Sequence, residues 1–196
     1  MRAKDRVTTS KTGAPKPLLL VDIDGVVSLF GPWQALGSPV APRPDDARRA
    51  DAPAPVEGSF HSIDGIPHFL SSTAADHLQA LAETFELVWA SGWEEKANEY
   101  LPRLLGLPAP LPFIRFTARE NASGTLPGHW KLPAIATYVG DRPLAWIDDA
   151  FNPACHDWAS ARSSPTLLVT TAPESGLTST EAQVLREWAG RLALGE

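Results

Sequence analysis

Cysteine occurs once among the 196 residues, at Cys155. A lone thiol closes no internal disulfide, so no disulfide framework holds this fold, as fits a reducing compartment. Cys155 reads as a small apolar helix residue. No run of about 18 apolar residues occurs, so no membrane-spanning helix is expected. The opening segment MRAKDRVTTSKTGAPK lacks an apolar centre. Residues 1–16 are therefore expected to form a disordered tail rather than a signal peptide, with the cytoplasm as the expected location. Basic residues are not in excess: 17 Lys and Arg face 23 Asp and Glu, a formal charge of −6. That balance disfavours broad capture of nucleic acid or anionic membrane, and leaves open a local basic pocket or help from the basic tail. There is no internal repeat, and His61, His68, His77, His129 and His156 lack metal-ligand spacing. His129 stands out only because Lys131 is near it.

What the chain does have is material for a core. Hydrophobic residues make up 43% and include seven tryptophans, enough for one globular domain over residues 17–196. Leu18–Ile23 reads as a strand apolar on both faces, as inside a parallel sheet. Residues 31–58, rich in proline and alanine, have neither helical nor strand period and read as a long flexible loop. Residues 59–70 read as a hairpin around Asp64-Gly65. Helices are expected after Ser71 or Ser72, over 94–107, from about His129, after Asn152 and near the C-terminus, with Pro102 bending the second. Strands are expected at Glu86–Ala90, Phe113–Phe116, Leu144–Ile147 and Thr166–Thr170. Alternating strands and helices imply an α/β fold: a mainly parallel sheet of about five strands with helices on both faces. Trp89 and Trp146 are assigned to its core, whereas Trp93 suits either the core or a pocket wall.

Ligands in such sheets bind beyond the carboxyl ends of the strands. Asp22 and Asp24 follow the first expected strand, Ser91 and Gly92 the second, and Asp148 and Asp149 the fourth. Lys131 lies near the start of the helix before the fourth. Two residues apart, Asp22 and Asp24 would face the same way if the strand stayed extended. Together with Asp148 they could hold a divalent cation through oxygen, which suits Mg2+. A carboxylate can also attack phosphorus, a second can exchange protons with the leaving oxygen and water, and Ser91 and Lys131 can bind phosphoryl oxygens. Gly25 would allow close backbone approach to a ligand.

The motifs DIDGVV, VWAS, Lys131 and WIDD, in this order, resemble the four motifs of haloacid dehalogenase-like (HAD) hydrolases, and the chain is similar to the small bacterial members. The resemblance implies a Rossmann-like fold, Mg2+ and phosphatase activity. It assigns Asp22 as nucleophile and Asp24 as acid/base. It gives Asp22, the Asp24 carbonyl and Asp148 as metal ligands, Asp149 as their orienting neighbour, and Ser91, Gly92 and Lys131 as phosphate-binding. Arg115, Arg119 and Lys96 compete with Lys131, because no fixed spacing marks that lysine. The intervals between motifs imply a small hairpin and loop in place of a large cap. An open site would admit a phosphorylated protein or a nucleic acid end. Alternatively, the loop or a second subunit of a homodimer could cover a small phosphorylated metabolite. A non-enzymatic, phosphate-responsive binding module is the alternative function.

Overall fold

The computed structural model describes residues 15–30, 56–116 and 129–195. Strand β1, Leu18–Val21, is fully buried along its length. Consecutive strand side chains point to opposite faces, so Leu19 and Val21 enter one apolar cluster while Leu18 and Leu20 enter another. The run is apolar at every position because both faces are covered, each buried leucine contributing about 1.5–3 kcal/mol. On the first face lie α1 (Ser72–Leu81), α2 (Ala97–Leu104) and α5 (Ser179–Leu194), through residues such as Leu78, Leu101 and Leu185. On the second lie α3 (Leu132–Val139) and α4 (Pro153–Ala161), through Ile135, Val139 and Cys155.

β1 sits centrally between β5 (Glu86–Trp89) and β6 (Leu144–Asp148), and β7 (Thr166–Thr170) flanks β6; all pairings are parallel. Val21 stands level with both Trp89 and Ile147, and Asp148 with Thr170. The residues just past these strands therefore meet at one sheet edge. The expected strand at Phe113–Phe116 is reduced to a single parallel bridge between Phe113 and Trp89. Trp89 is the last residue of β5, so the segment has no strand partner to continue along, and Pro112 supplies no N–H before it.

Local chemistry sets the helix ends. The Ser71 hydroxyl accepts from Ala74 N–H at 3.1 Å to cap α1, and Asn152 caps α4 through Cys155 N–H at 3.3 Å. Pro133 lies in the first turn of α3, where its missing N–H costs nothing. The segment Glu94–Lys96 is a 3-10 turn leading into α2; Pro102 lies within that helix, and Gly106 follows it at φ +64°.

A second, smaller sheet has the order β2-β4-β3, with β2 at Ser28–Leu29, β3 at Gly58–Ile63 and β4 at Ile66–Ser71. Asp64 and Gly65 turn the β3–β4 hairpin with φ of +53° and +79°, the two positive values of a type I′ turn. Ser71 N–H donates to Val27 O at 3.0 Å, tying the hairpin to the turn after β1. Gly58, expected to close the proline-rich loop, opens β3. The expected tail up to residue 14 and the expected loop over 31–55 lie outside the described residues, as do residues 117–128. Among the described residues no helix is long and apolar enough to cross a membrane.

Candidate active site

The parallel ladder runs one step past β1: Asp22 N–H donates to Ile147 O at 3.1 Å. This places the Asp22 side chain beside the end of β6, where Asp148 is fully buried. Lys131, the residue before α3, joins them. Its Nζ lies 2.8 Å from Asp22 Oδ2 and 2.6 Å from Asp148 Oδ2, and all three side chains are buried. Asp22, Asp148 and Asp149 each present an oxygen, all within 4.8 Å of one another.

Burial pushes the Asp22 carboxyl up to about 6; Lys131 opposes that rise and Asp148 adds to it. Burial alone would lower the Lys131 ammonium, but Asp22 and Asp148 together outweigh it and hold it above its ordinary value. Asp149 is also raised, first by burial and then by Asp148. Three carboxylates thus cluster around one ammonium that contacts two of them, an excess of negative charge in a largely desolvated place. An oxygen-only donor set with surplus negative charge fits a hard divalent cation such as Mg2+.

Further bonds fix the cluster. Asp148 Oδ2 also accepts from Trp146 Nε1 at 3.1 Å, and Asp148 Oδ1 from Ala150 N–H at 3.1 Å. Buried Thr171, just past β7, donates its N–H to Asp148 O at 3.1 Å and its hydroxyl to Gly25 O at 2.9 Å. Gly25 has φ +73°, and a Cβ there would come within 2.4 Å of Asp149 Oδ2. The close approach expected at this glycine is thus made by a side chain of the cluster. His129, held below its ordinary value chiefly by burial, packs edge-on against Trp146 with centroids 5.3 Å apart and accepts at Nδ1 from Lys131 N–H at 3.3 Å.

Asp24 departs from the extended geometry. The strand stops at Val21, and a turn follows in which Val27 and Ser28 N–H both donate to Ile23 O at 2.8 Å. Asp22 and Asp24 consequently have different surroundings. Asp24 Oδ2 accepts from Trp93 Nε1 at 2.9 Å. Trp93 packs on the core and also reaches this carboxylate, while core Trp146 reaches Asp148.

Ser91 is buried two residues past the end of β5, the strand next to β1, and Trp130 lies over Gly92. Of the competing cations, Arg115 pairs with Glu95 and Lys96 with Asp64, both on the exposed surface; Arg119 lies outside the described residues. Sequence reasoning missed Thr171, whose place depends on the β6–β7 register. It assigned Trp146 to packing alone, where the strand-end position two residues before Asp148 was the available signal.

These residues, their order and their convergence can be set against known proteins. The family model for the HAD domain in Swiss Army Knife RNA repair proteins matches residues 18–182. The chain belongs to this HAD family. The match runs from the first residue of β1 into α5 and so contains every element of the site. No curated protein matches the chain. Membership makes it a HAD-like hydrolase-superfamily protein with a Rossmann-like fold, and the parallel sheet flanked by helices agrees with that.

Proposed function

We propose that this HAD domain is a Mg2+-dependent phosphomonoester hydrolase working through an aspartyl-phosphate at Asp22. The supporting observation is that Lys131 contacts Asp22 and Asp148 together, because it gathers three separate stretches of chain around one buried carboxylate. Asp22 Oδ attacks phosphorus as the bond to the leaving oxygen breaks, and Asp24 gives its proton to that oxygen. Asp24 then takes a proton from water, whose oxygen attacks phosphorus and frees phosphate and the Asp22 carboxylate. Asp22, the Asp24 backbone carbonyl and Asp148 would hold the cation, and Asp149, packed against Gly25, would orient that group. Mg2+, when bound, neutralises charge on the phosphoryl oxygens. Lys131 offers its ammonium to one such oxygen, while Ser91 and Gly92 receive the others at the adjoining strand end. The Lys131 ammonium opposes the rise that burial imposes on the Asp22 carboxyl, and so favours the ionised form that attacks.

The test is turnover of p-nitrophenyl phosphate with Mg2+, comparing the natural chain with Asp22→Asn. Loss of turnover supports the assignment, and wild-type turnover in the variant refutes it. The family description favours one refinement of the substrate, a phosphate at the end of a nucleic acid strand. A cytoplasmic location belongs to the same reading.

A further inference from the structure

A cleft of about 240 Å³ adjoins Asp24, outside the carboxylate cluster, lined by Ile63, Ile66, His68, Gly92, Trp93 and Lys96. Its two walls come from the β3–β4 hairpin and from the segment that follows Ser91. The hairpin tip is clasped to the second wall: Asp64 pairs with Lys96 and accepts from the Tyr100 hydroxyl at 2.5 Å. Inside, the His68 and Trp93 rings meet edge to face with centroids 4.9 Å apart, and Ser28 Oγ lies 3.0 Å from His68 Nδ1. Ile66 leaves 60% of its surface to solvent. Trp93 has two attachments, since its ring lines the cleft while its N–H holds Asp24 Oδ2 at 2.9 Å.

We infer that this cleft is the leaving-group subsite and that it receives a nucleobase, making the substrate a terminal nucleotide. The inference rests on the phosphatase reading, in which Asp24 protonates the leaving oxygen. The departing group must then lie on Asp24's side of the phosphorus, and the wall there is the indole bonded to that carboxylate. Size restricts the occupant. The volume falls below the roughly 300–1,000 Å³ of pockets for drug-sized ligands, so it suits one ring system rather than several nucleotides. Chemistry restricts it further. Two isoleucines and two aromatic rings dominate the lining, and its single ammonium is already paired with Asp64. A phosphosugar or phosphopeptide would lose water there and gain few hydrogen bonds. A base presents a π-face, and stacking on an aromatic side chain is tolerant of base identity. The RNA-repair description of the family is in keeping with this occupant.

The experiment compares AMP with ribose 5-phosphate, which lacks the base, both as substrates with Mg2+ and as ligands titrated calorimetrically into Asp22→Asn protein. In the natural chain kcat/KM should favour AMP by about 5–150-fold, the usual range for one stacked base. Trp93→Phe should keep much of that preference because it keeps a ring, whereas Trp93→Leu and Ile66→Glu should bring it towards unity. Ile66→Glu covers the case in which the tryptophan variants fail to fold, since Ile66 is largely exposed. Equal handling of AMP and ribose 5-phosphate by the natural chain would overturn the inference, as would a preference unmoved in Ile66→Glu. If neither compound is hydrolysed, p-nitrophenyl phosphate turnover decides the phosphatase reading, and the binding comparison separately decides whether the cleft takes a base.

Discussion

Replacing Lys131 by Met tests the electrostatics of the site independently of any substrate. The substitution keeps most of the aliphatic stem and removes the ammonium that lies 2.8 Å from Asp22 and 2.6 Å from Asp148. Two buried carboxylates are then left facing each other without a counter-charge. Breaking a buried ion pair from one side typically costs about 3–5 kcal/mol. In a domain of this size each kcal/mol moves Tm by roughly 2–4 °C, so in EDTA at pH 7.5 the variant should melt about 6–20 °C lower. The loss should shrink near pH 5. Lys131 opposes the rise of the Asp22 carboxyl, so removing it raises that group further, and protonation then relieves the repulsion. Mg2+ should narrow the gap, because a cation replaces the lost ammonium and binds the variant more tightly; each tenfold gain in affinity over the natural chain returns about 1.4 kcal/mol at saturation. Thermal melts followed by circular dichroism at the two pH values, with and without Mg2+, measure all of this. A variant melting within about 2 °C of the natural chain in EDTA at pH 7.5 would show that the three side chains do not form the coupled cluster described.

Asp22→Asn should flatten the pH dependence of stability in EDTA. The Asp22 carboxyl is raised from 3.8 to about 6, so its contribution is fully present below 3.8 and is lost as pH rises through about 6. That amounts to roughly 3 kcal/mol between the limits, and an asparagine cannot ionise. Denaturant titrations from pH 4 to 7.5 check it, and a slope equal to wild type counts against the assignment. Gly25→Ala places a methyl group 2.4 Å from Asp149 Oδ2 at φ +73°. It should cost about 1–2 kcal/mol from backbone strain and weaken Mg2+ binding in calorimetry; unchanged affinity would detach Asp149 from the cation site.

How much of this was legible depended on whether a feature was local. β1 and β6 could be read because strands covered on both faces are built from apolar runs, and their parallel register carries Asp22 and Asp148 to one level; the half-buried edge strand β7 was read from its apolar centre, Leu167–Val169. The hairpin turn was legible because Asp64-Gly65 supplies the positive φ values it needs. Lys131 could not be separated from Lys96 and Arg115 by spacing. The separation is tertiary: α3 starts under the sheet edge, while the other two turn outward to Asp64 and Glu95. Thr171 and the Trp93 indole were illegible as polar partners for the same reason, since a hydrogen bond depends on rotamer and register; for Trp146 only the position two residues before Asp148 hinted at one. The Phe113–Phe116 segment has strand-like composition, but only the end of β5 reveals that its pairing stops at the one bridge to Trp89.

The unequal surroundings of Asp22 and Asp24 lead to a kinetic consequence. Carboxylates with different environments can take different roles in one reaction. Asp22 is buried beside the ammonium, while Asp24 faces the hairpin side and accepts from an indole. Asp24→Asn keeps an oxygen for Trp93 Nε1 and leaves the Asp22–Lys131–Asp148 contacts in place, so its Tm should stay within about 2 °C of wild type. The variant has no proton to give and cannot take one from water. With p-nitrophenyl phosphate, whose leaving group needs little protonation, Asp22 should still be phosphorylated. Rapid mixing should then show a burst of p-nitrophenolate stoichiometric with protein, followed by stalled turnover. With AMP, whose alkoxide leaves poorly, the first step should itself slow by about 10²–10⁴-fold and no burst should form. Equal bursts from the two substrates would show that Asp24 takes no part in leaving-group protonation. A rate unchanged on both would remove Asp24 from the chemistry and leave its bond to Trp93 as a structural contact.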